Sequence, residues 1–268
     1  MKHIASRDNP LFKALHRVAA AAGRREAQVL LDGVHLCQAW LARHGPPVRA
    51  LFDAARLDHP EIAALVRAVP DGVCTSLDTR LLHGLASVES DQGVVFLVQP
   101  PQPVLPDRID ENCLLLDRVQ DPGNVGTLLR TCAAAGIRRV LLSEGCAAAW
   151  SPKVLRSAQG AHFALALHER VALQPALVRL DVPLVATALE DAVSLYDAEL
   201  PPRCAWVFGH EGQGVSAELL RAAALRVRIP HDTAAVESLN VAAATAICLF
   251  EHRRRCMKGE AASTARTT

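Results

Sequence analysis

Residues 114–136 have the sequence LLLDRVQDPGNVGTLLRTCAAAG, an apolar run followed by a polar turn and an amphipathic segment. The run LLLD is short and bounded by turn-forming residues, as is typical of a strand buried in a parallel sheet. The segment DPG at 121–123 ends this strand, and Asn124 is predicted to cap the helix that follows. Gly136 suits the position just beyond that helix. The stretch therefore predicts one strand–turn–helix unit of an α/β fold.

Two further polar segments have the same design. WVFGHEGQGVS occupies residues 206–216, and RIPHDTAAVESLNVAAATAICLFE occupies residues 228–251. Each begins with an apolar run and continues into glycines or polar side chains. Because open α/β sheets bind ligands at the carboxyl ends of their parallel strands, three such ends predict one composite site.

Strand and helix patterns lie on both sides of a proline-rich segment. The segment PPQPVLPDR at 100–108 is the predicted linker, because proline cannot continue helix or sheet pairing. Before it, helices are predicted at 10–22, 34–43 and 61–69, with strands at 48–54 and 93–98. After it, strand–helix alternation favours a parallel sheet with helices on both faces. A long helix is predicted from about 239 to 255, followed by a disordered tail at 258–268.

Length and composition narrow the class of protein. A chain of 268 residues is long enough for two domains. No uninterrupted apolar stretch reaches the roughly 18–20 residues that span a bilayer, and the amino terminus lacks the apolar core of a secretory signal. A cytoplasmic protein is therefore expected. The eight cysteines form no C-x-x-C and no zinc-type spacing, so no metal site is predicted.

The charge distribution gives a mixed indication of nucleic-acid binding. A net charge of +1 by itself argues against such a partner. Basic residues nevertheless cluster near the amino terminus: Lys2, Arg7, Lys13, Arg17, Arg24 and Arg25. Cations on one face can bind phosphate even when the total charge is near zero. Charge alone favours the alternative, a solvated helix face.

Together the three segments resemble the SpoU/TrmH family of RNA ribose methyltransferases, within the SPOUT superfamily. D-P-G-N-V-G with an arginine four residues later, G-x-E-G-x-G, and I-P followed by S-L-N occur in that order. The resemblance covers about 109–256 well and 1–100 more loosely. It implies a SPOUT-type parallel sheet with a C-terminal trefoil knot at 109–257. It also implies a small L30e-like α/β domain at 1–99 that binds RNA, for which packing or dimerisation is the alternative role.

The resemblance implies S-adenosylmethionine as the methyl donor and a ribose 2′-hydroxyl of structured RNA as the acceptor. Ribosomal RNA is the preferred substrate and transfer RNA the second choice. The family's active site lies at a homodimer interface, so a lone subunit is expected to be inactive. Arginine stays protonated, but its planar fork can grip an RNA phosphate and hold the hydroxyl in line. The resemblance gives this role to Arg130.

The other implied site residues lie in the same segments and at one more strand end. At the reacting centre they are Asn124, Glu211, Ser238 and Asn240. Around the cofactor they are Thr187, Ala188, Leu189, Gly209, Ile229, Pro230 and Leu239. The candidates for RNA contact are Arg7, Lys13, Arg24, Arg25, Lys153 and Arg156.

Several of these residues have a second interpretation. Glu211 could orient Arg130 or simply stabilise its turn, and Ser238 could cap a helix. Lys153 and Arg156 could be ordinary surface cations. The loop 231–237 lacks a glycine common in the family after I-P and is one residue longer, so the detailed geometry of the cofactor pocket is expected to differ.

Two other functions remain open at this point. Gly123-x-x-Gly126 between a strand and a helix resembles a dinucleotide-binding turn, but Asp121 occupies the position of the first glycine of G-x-G-x-x-G. An NAD-dependent enzyme would also leave the later two segments unexplained. The second alternative is a non-catalytic RNA-binding protein on the same fold. Measured binding of S-adenosylmethionine distinguishes both alternatives from the methyltransferase.

Overall fold

The computed structural model describes residues 1–21, 28–85 and 92–264, with side chains as far as residue 257. Its contacts divide the chain into two compact units. The first comprises Met1–Pro101 and Trp150–Phe163, and the second comprises Gln102–Ala149 and Ala164–Thr268. The sequence placed residues 150–163 in the second domain. They pack with the first unit because aromatic side chains meet there: the rings of Trp40 and Phe163 lie edge to face, 5.5 Å apart.

The first unit contains a five-stranded mixed sheet. Its strands are β1 (Lys2–Ile4), β2 (Val29–Asp32), β3 (Arg49–Asp53), β4 (Cys74–Leu77) and β5 (Val94–Val98). Their order is β1-β4-β3-β5-β2, and β5 is antiparallel to both of its neighbours. The helices are α1 (Pro10–Ala20), α2 (Val34–His44), α3 (Pro60–Ala68) and α4 (Thr79–His83). The centre of the sheet is held by apolar packing, with Phe52 and Phe96 both fully buried edge to face.

The second unit contains a seven-stranded sheet in which every strand pair is parallel. Its strands are β6 (Cys113–Asp117), β7 (Arg139–Ser143), β8 (Ala166–Val171), β9 (Leu184–Thr187), β10 (Val193–Ser194), β11 (Ala205–Gly209) and β12 (Leu225–Arg228). The order is β10-β12-β9-β11-β6-β7-β8. The predicted parallel α/β sheet is confirmed. The trefoil knot stays a prediction.

The remaining helices follow the strands in alternation. They are α5 (Pro122–Ala135), α6 (Pro152–Ala158, within the first unit), α7 (Leu173–Ala176), α8 (Ala217–Ala222) and α9 (Val241–Thr264). Strands β6 and β11 are buried along their whole length, which explains why their sequences are continuous apolar runs. Helix α9 packs against α5, so the two polar segments that precede these helices are brought together.

Helix α5 begins two residues before the predicted cap. Asp121 is the capping residue, and its Oδ1 accepts a hydrogen bond of 2.8 Å from the backbone N–H of Asn124. The assignment of Asn124 as the cap was wrong because Pro122 can occupy the first helical position, where no N–H is needed. Gly136 ends the helix with a φ of +90°, as predicted.

Helix α9 differs from its prediction at both ends. Oδ1 of Asn240 accepts hydrogen bonds from the backbone N–H groups of Ala242 (2.9 Å) and Ala243 (3.3 Å), so Asn240 rather than Ser238 caps the helix. The helix continues to Thr264, through most of the segment predicted to be a disordered tail. Glutamate and alanine in that segment are good helix formers, which accounts for the extension.

Candidate functional site

A cavity of about 500 Å³ lies at the carboxyl ends of strands β9, β11 and β12. Its walls are built from Leu220 and from residues within four segments: 187–191, 208–215, 226–231 and 237–244. Three of these segments follow adjacent parallel strands, and the fourth leads into α9. Parallel strands end at one edge of a sheet, so loops that are distant in sequence converge there.

Most of the predicted cofactor residues line this cavity. The lining includes Thr187, Ala188, Leu189, Gly209, Ile229 and Leu239. Pro230 is not among the lining residues. Of the residues predicted at the reacting centre, Glu211 and Ser238 line the cavity, whereas Asn124, Arg130 and Asn240 do not.

The wall that follows β11 is a tight turn that requires glycine at its base. His210 and Gly214 exchange two backbone hydrogen bonds, of 3.0 and 2.8 Å. A Cβ atom on Gly209 would lie 2.1 Å from the carbonyl carbon and oxygen of Gly214. Nδ1 of His210 also accepts hydrogen bonds from the backbone N–H groups of Gly212 (2.9 Å) and Gln213 (3.2 Å). The turn is therefore closed by its own backbone and by one imidazole nitrogen.

The carboxylate of Glu211 reaches from this turn to the start of α5. It accepts hydrogen bonds from the backbone N–H groups of Gln120 (3.3 Å) and Asp121 (3.2 Å) and from Nδ2 of Asn124 (3.0 Å). Partial burial raises the pKa of Glu211, but these hydrogen bonds outweigh it and leave the pKa below its ordinary value. The carboxylate is thus an ionised anchor, which suits an orienting role better than that of a general base.

Asn240 extends the same network to α9. Its Nδ2 donates a hydrogen bond of 3.1 Å to Oδ1 of Asn124, while its own Oδ1 caps the helix. The hydrogen-bond partners fix the orientation of both amides. Asn240, Asn124 and Glu211 therefore form a continuous chain that links the starts of two helices to the turn after β11.

Arg130 and Ser238 are not part of this chain. Arg130 is exposed on α5 and makes no hydrogen bond or ion pair with any described residue. Glu211 was predicted to orient Arg130, but no hydrogen bond or ion pair joins the two side chains in the described chain. Ser238 is exposed on the cavity wall. Both side chains are available to a ligand.

The charged residues around the cavity were not predicted from the sequence. The lining includes the acidic residues Glu190, Asp191 and Glu237 and the basic residues Arg226, Arg228 and His231. Glu190 and Asp191 follow β9, Arg226 and Arg228 lie in β12, and His231 and Glu237 lie in the third polar segment, so only their closeness to strand ends could have indicated them. Asp117 and Arg118, at the end of β6, were also missed, although an acidic residue closing an apolar strand is a recognisable signal.

The candidates for RNA contact are dispersed along the chain. Arg7, Lys13, Lys153 and Arg156 are exposed. Lys13 forms an ion pair of 2.9 Å with Asp8, a pairing that is weak at such an exposed site. The other two candidates, Arg24 and Arg25, lie outside the described residues.

Two absences concern the part of the chain that the structure describes. Within it, no helix is both long and apolar enough to cross a bilayer. Over the same ranges, no group of three or more His, Cys, Asp or Glu side chains is arranged to hold a metal ion.

Comparison with known proteins supports one family. Residues 111–250 match the model of the SpoU rRNA Methylase family. A 23S rRNA (guanosine(2553)-2′-O)-methyltransferase from Bacillus subtilis is 31% identical, over 94% of this chain and 100% of that protein. An uncharacterized tRNA/rRNA methyltransferase from Synechocystis is 34% identical, over 94% of this chain and 93% of that one. The AdoMet-bound rRNA methyltransferase from Sinorhizobium meliloti superposes with a TM-score of 0.80 at 26% identity, covering 95% of this chain and 98% of its own.

Proposed function

The chain belongs to the SpoU rRNA methylase family, and on that premise we propose that it methylates a ribose 2′-hydroxyl of ribosomal RNA. S-adenosylmethionine is the methyl donor, as in the AdoMet-bound relative. The observation that carries the proposal is the cavity at the ends of β9, β11 and β12, in the unit that contains the family's three motifs. Membership of this family argues against the alternative of a dinucleotide-binding enzyme.

The cavity suits the chemistry of S-adenosylmethionine. Its volume lies in the range of about 300–1,000 Å³ that holds drug-sized ligands. Ile229 and Leu239 offer apolar surface to an adenine ring, and Glu190 and Asp191 complement a positively charged sulfonium and amino group. When bound, the cofactor supplies a methyl group on a sulfonium, ready for transfer to an oxygen nucleophile.

The linked residues Asn240, Asn124 and Glu211 hold the site in shape. Glu211 keeps the turn after β11 against the start of α5, and Asn240 fixes the start of α9 to the same point. Alignment of reacting groups can supply roughly 7–11 kcal/mol of a barrier in favourable cases. These three residues therefore contribute by positioning, and Ser238 lies on the wall where the acceptor ribose would approach.

Arg130 supplies the cation that the ribose acceptor needs. Its guanidinium is exposed on α5 and can grip an RNA phosphate next to the reacting hydroxyl. Because Arg130 does not line the cavity of its own chain, we infer a homodimer in which it completes the site of the second copy. The dimer also explains why this side chain has no intramolecular partner among the described residues.

The two units have separate tasks in this proposal. Residues 1–99 form the L30e-like domain that binds RNA, residues 100–108 form the linker, and residues 109–257 form the catalytic domain, except for the segment 150–163 that packs with the first unit. Arg7, Lys13, Lys153 and Arg156 are candidates for phosphate contacts because they are exposed cations. A ribosomal RNA substrate implies a cytoplasmic location.

Methyl transfer from labelled S-adenosylmethionine tests the function directly. Purified chain is incubated with ribosomal RNA, with ribosomal subunits and with transfer RNA, and the 2′-O-methylated nucleotide is mapped by primer extension. We expect incorporation into one nucleotide of ribosomal RNA. Incorporation into transfer RNA alone would identify transfer RNA, and not ribosomal RNA, as the substrate. The absence of both cofactor binding and methyl transfer would favour the non-catalytic RNA-binding protein.

A further inference from the structure

Asp117 is a buried carboxylate at the end of β6, directly opposite Gly209 in the pairing of β6 with β11. Its Oδ2 accepts a hydrogen bond of 2.8 Å from the backbone N–H of Ser216, and its Oδ1 accepts one of 3.1 Å from Nε of Arg118. A buried carboxylate is unfavourable unless it is paired and hydrogen-bonded, and both conditions are met here. Asp117 therefore ties β6 to the residue that follows the cavity wall at 208–215.

Arg118 extends this tie towards the tip of the turn. Its Nη1 donates a hydrogen bond of 3.0 Å to Oε1 of Gln213, and its backbone N–H donates one of 2.8 Å to Oγ of Ser143. Arg118 has a φ of +58°, a left-handed conformation that residues other than glycine rarely adopt. Such conformations persist where the surroundings fix them, and they concentrate at functional sites.

Glu211 makes the reciprocal connection. Its carboxylate reaches from the turn after β11 to the backbone of Gln120 and Asp121, whereas Asp117 reaches from β6 to Ser216. The turn at 210–216 is thus held near both ends by carboxylates that point in opposite directions between the two strands. Residues 208–215 form one wall of the cavity, so these ties set the position of that wall.

We propose that Asp117 and Arg118 are positioning residues for S-adenosylmethionine, a role that rests on the proposed function. They hold the turn at 210–216 against β6, and they act through Gln213 and Ser216 because neither Asp117 nor Arg118 lines the cavity. Their loss displaces the cofactor wall but leaves the groups that face the ribose in place. The expected signature is weaker cofactor binding with a nearly unchanged kcat at saturating cofactor.

Three variants of the full-length chain test this role. Arg118→Gly removes the guanidinium while suiting the positive φ, and Gln213→Ala removes its partner. Asp117→Asn keeps an acceptor for Ser216 but loses the ion pair. Arg108→Ala is the matched control, because it breaks an exposed ion pair of the same unit, the 2.5 Å contact with Asp181. Calorimetry gives the Kd for S-adenosylmethionine, steady-state kinetics give KM and kcat, and thermal melting reports folding.

We expect Arg118→Gly and Gln213→Ala each to raise the Kd about tenfold, equivalent to about 1.4 kcal/mol. The double variant should be no weaker than either single variant, because the two side chains share one contact. KM should rise with Kd while kcat and the control stay near the parent. If Asp117→Asn fails to fold, the other two variants decide the matter.

An unchanged Kd in Arg118→Gly and Gln213→Ala would overturn the inference, as would a fall in kcat at constant KM. A parent chain that binds no S-adenosylmethionine would overturn the proposed function as well. A parent that binds the cofactor and transfers methyl groups, with variants that bind equally well, would remove only the positioning role.

Discussion

Arg130 is an exposed cation on α5. The buried residues Leu128, Leu129 and Cys132 lie on the opposite face of this helix. We expect Arg130→Ala to lower methyl transfer by about 100-fold or more, because a hydrogen bond to a charged group contributes about 1.5–3 kcal/mol and the in-line geometry is lost with it. Cofactor affinity should stay near that of the parent, since Arg130 does not line the cavity. Single-turnover methylation and calorimetry measure the two effects separately.

Arg138→Ala is the control for this variant. Arg138 is also an exposed arginine near α5, but it is used locally, with its Nη1 donating to the carbonyl of Ala133. Its loss should leave methyl transfer intact. Equal turnover of Arg130→Ala and the parent would remove Arg130 from the reacting centre.

At the residue scale, motif order predicted which side chains meet, but it did not predict their local roles. Glu211, Asn124 and Asn240 do come together, over separations of 87 and 116 residues. Asn124 and Ser238 were wrongly predicted to cap the two helices. Asp121 and Asn240 are equally good capping residues, and only the residue at which each helix starts decides between the candidates. Pro230 lies beside lining residues without lining the cavity, a distinction that adjacency in sequence cannot make.

The turn after β11 gives a prediction at the scale of a single element. We expect Gly209→Ala to displace the turn, because the added Cβ would lie 2.1 Å from the backbone of Gly214, which cannot rotate away. Loss of both stability and cofactor affinity should follow, with a penalty on the order of the 1–3 kcal/mol typical of overpacking. Thermal melting and calorimetry with S-adenosylmethionine test it.

Gly212→Ala is the matched comparison in the same turn. The nearest atoms to a Cβ there are those of the His210 ring, at 3.8 Å, and the φ of Gly212 is not positive. Its melting temperature should therefore stay close to that of the parent. Equal melting temperatures for Gly209→Ala and Gly212→Ala would show that the backbone contact is relieved at little cost.

Helix α9 carries a buried histidine that makes stability depend on pH. Nε2 of His252 donates to the carbonyl of Pro201 (2.8 Å), and Nδ1 accepts from Nε1 of Trp206 (3.3 Å), so the ring is neutral. Burial is the main cause that lowers the pKa of His252, and Arg255 adds to it. The unfolded chain takes up a proton near pH 6.5 while the folded chain does not, so acidification below that pH favours unfolding.

We expect the free energy of unfolding to decrease as the pH is lowered below 6.5. For this one group the decrease is at most about 1.4 kcal/mol per pH unit. His252→Gln keeps a donor and an acceptor but does not titrate, so its stability should change less between pH 7 and the folded pKa. Denaturant melts across this range compare the slopes. Parallel curves for the two proteins would mean that His252 does not control this pH dependence.

At the element scale, apolar runs and glycines predicted the central strands and most helices. Three of the strands that were missed have little apolar periodicity: β4 has the sequence CTSL, β8 has exposed residues in its second half, and β10 has two residues. Tertiary pairing rather than local preference forms such strands. The knot was predicted from family resemblance alone, since hydrophobic periodicity carries no information about how a chain is threaded.

At the scale of the whole molecule, the proposed homodimer predicts complementation between inactive chains. Arg130→Ala lacks the cation, and Ile229→Arg fills the cofactor cavity with a bulky charge. If the site is shared between two copies, each mixed dimer has one site with both parts intact. Equimolar mixing with subunit exchange should then restore about a quarter of the parent activity, because half of the dimers are mixed and each has one working site.

A mixture that stays inactive, despite mixed dimers seen by native mass spectrometry, would mean that Arg130 serves its own chain. A second test of the homodimer uses the parent chain alone and measures its specific activity on dilution. Specific activity should fall as the chain dissociates, with sedimentation velocity reporting the mass of each species.

The hydrogen bond between Asn124 and Asn240 joins two segments that are made at different times during synthesis. The bond closes a loop of 116 residues, and contacts of such long range form slowly. The twelve strands of the described residues have all been translated once residue 228 is made, yet the cap of α9 comes later still. A nascent chain can therefore assemble its β-structure on the ribosome while lacking a place for its methyl donor until the final helix follows.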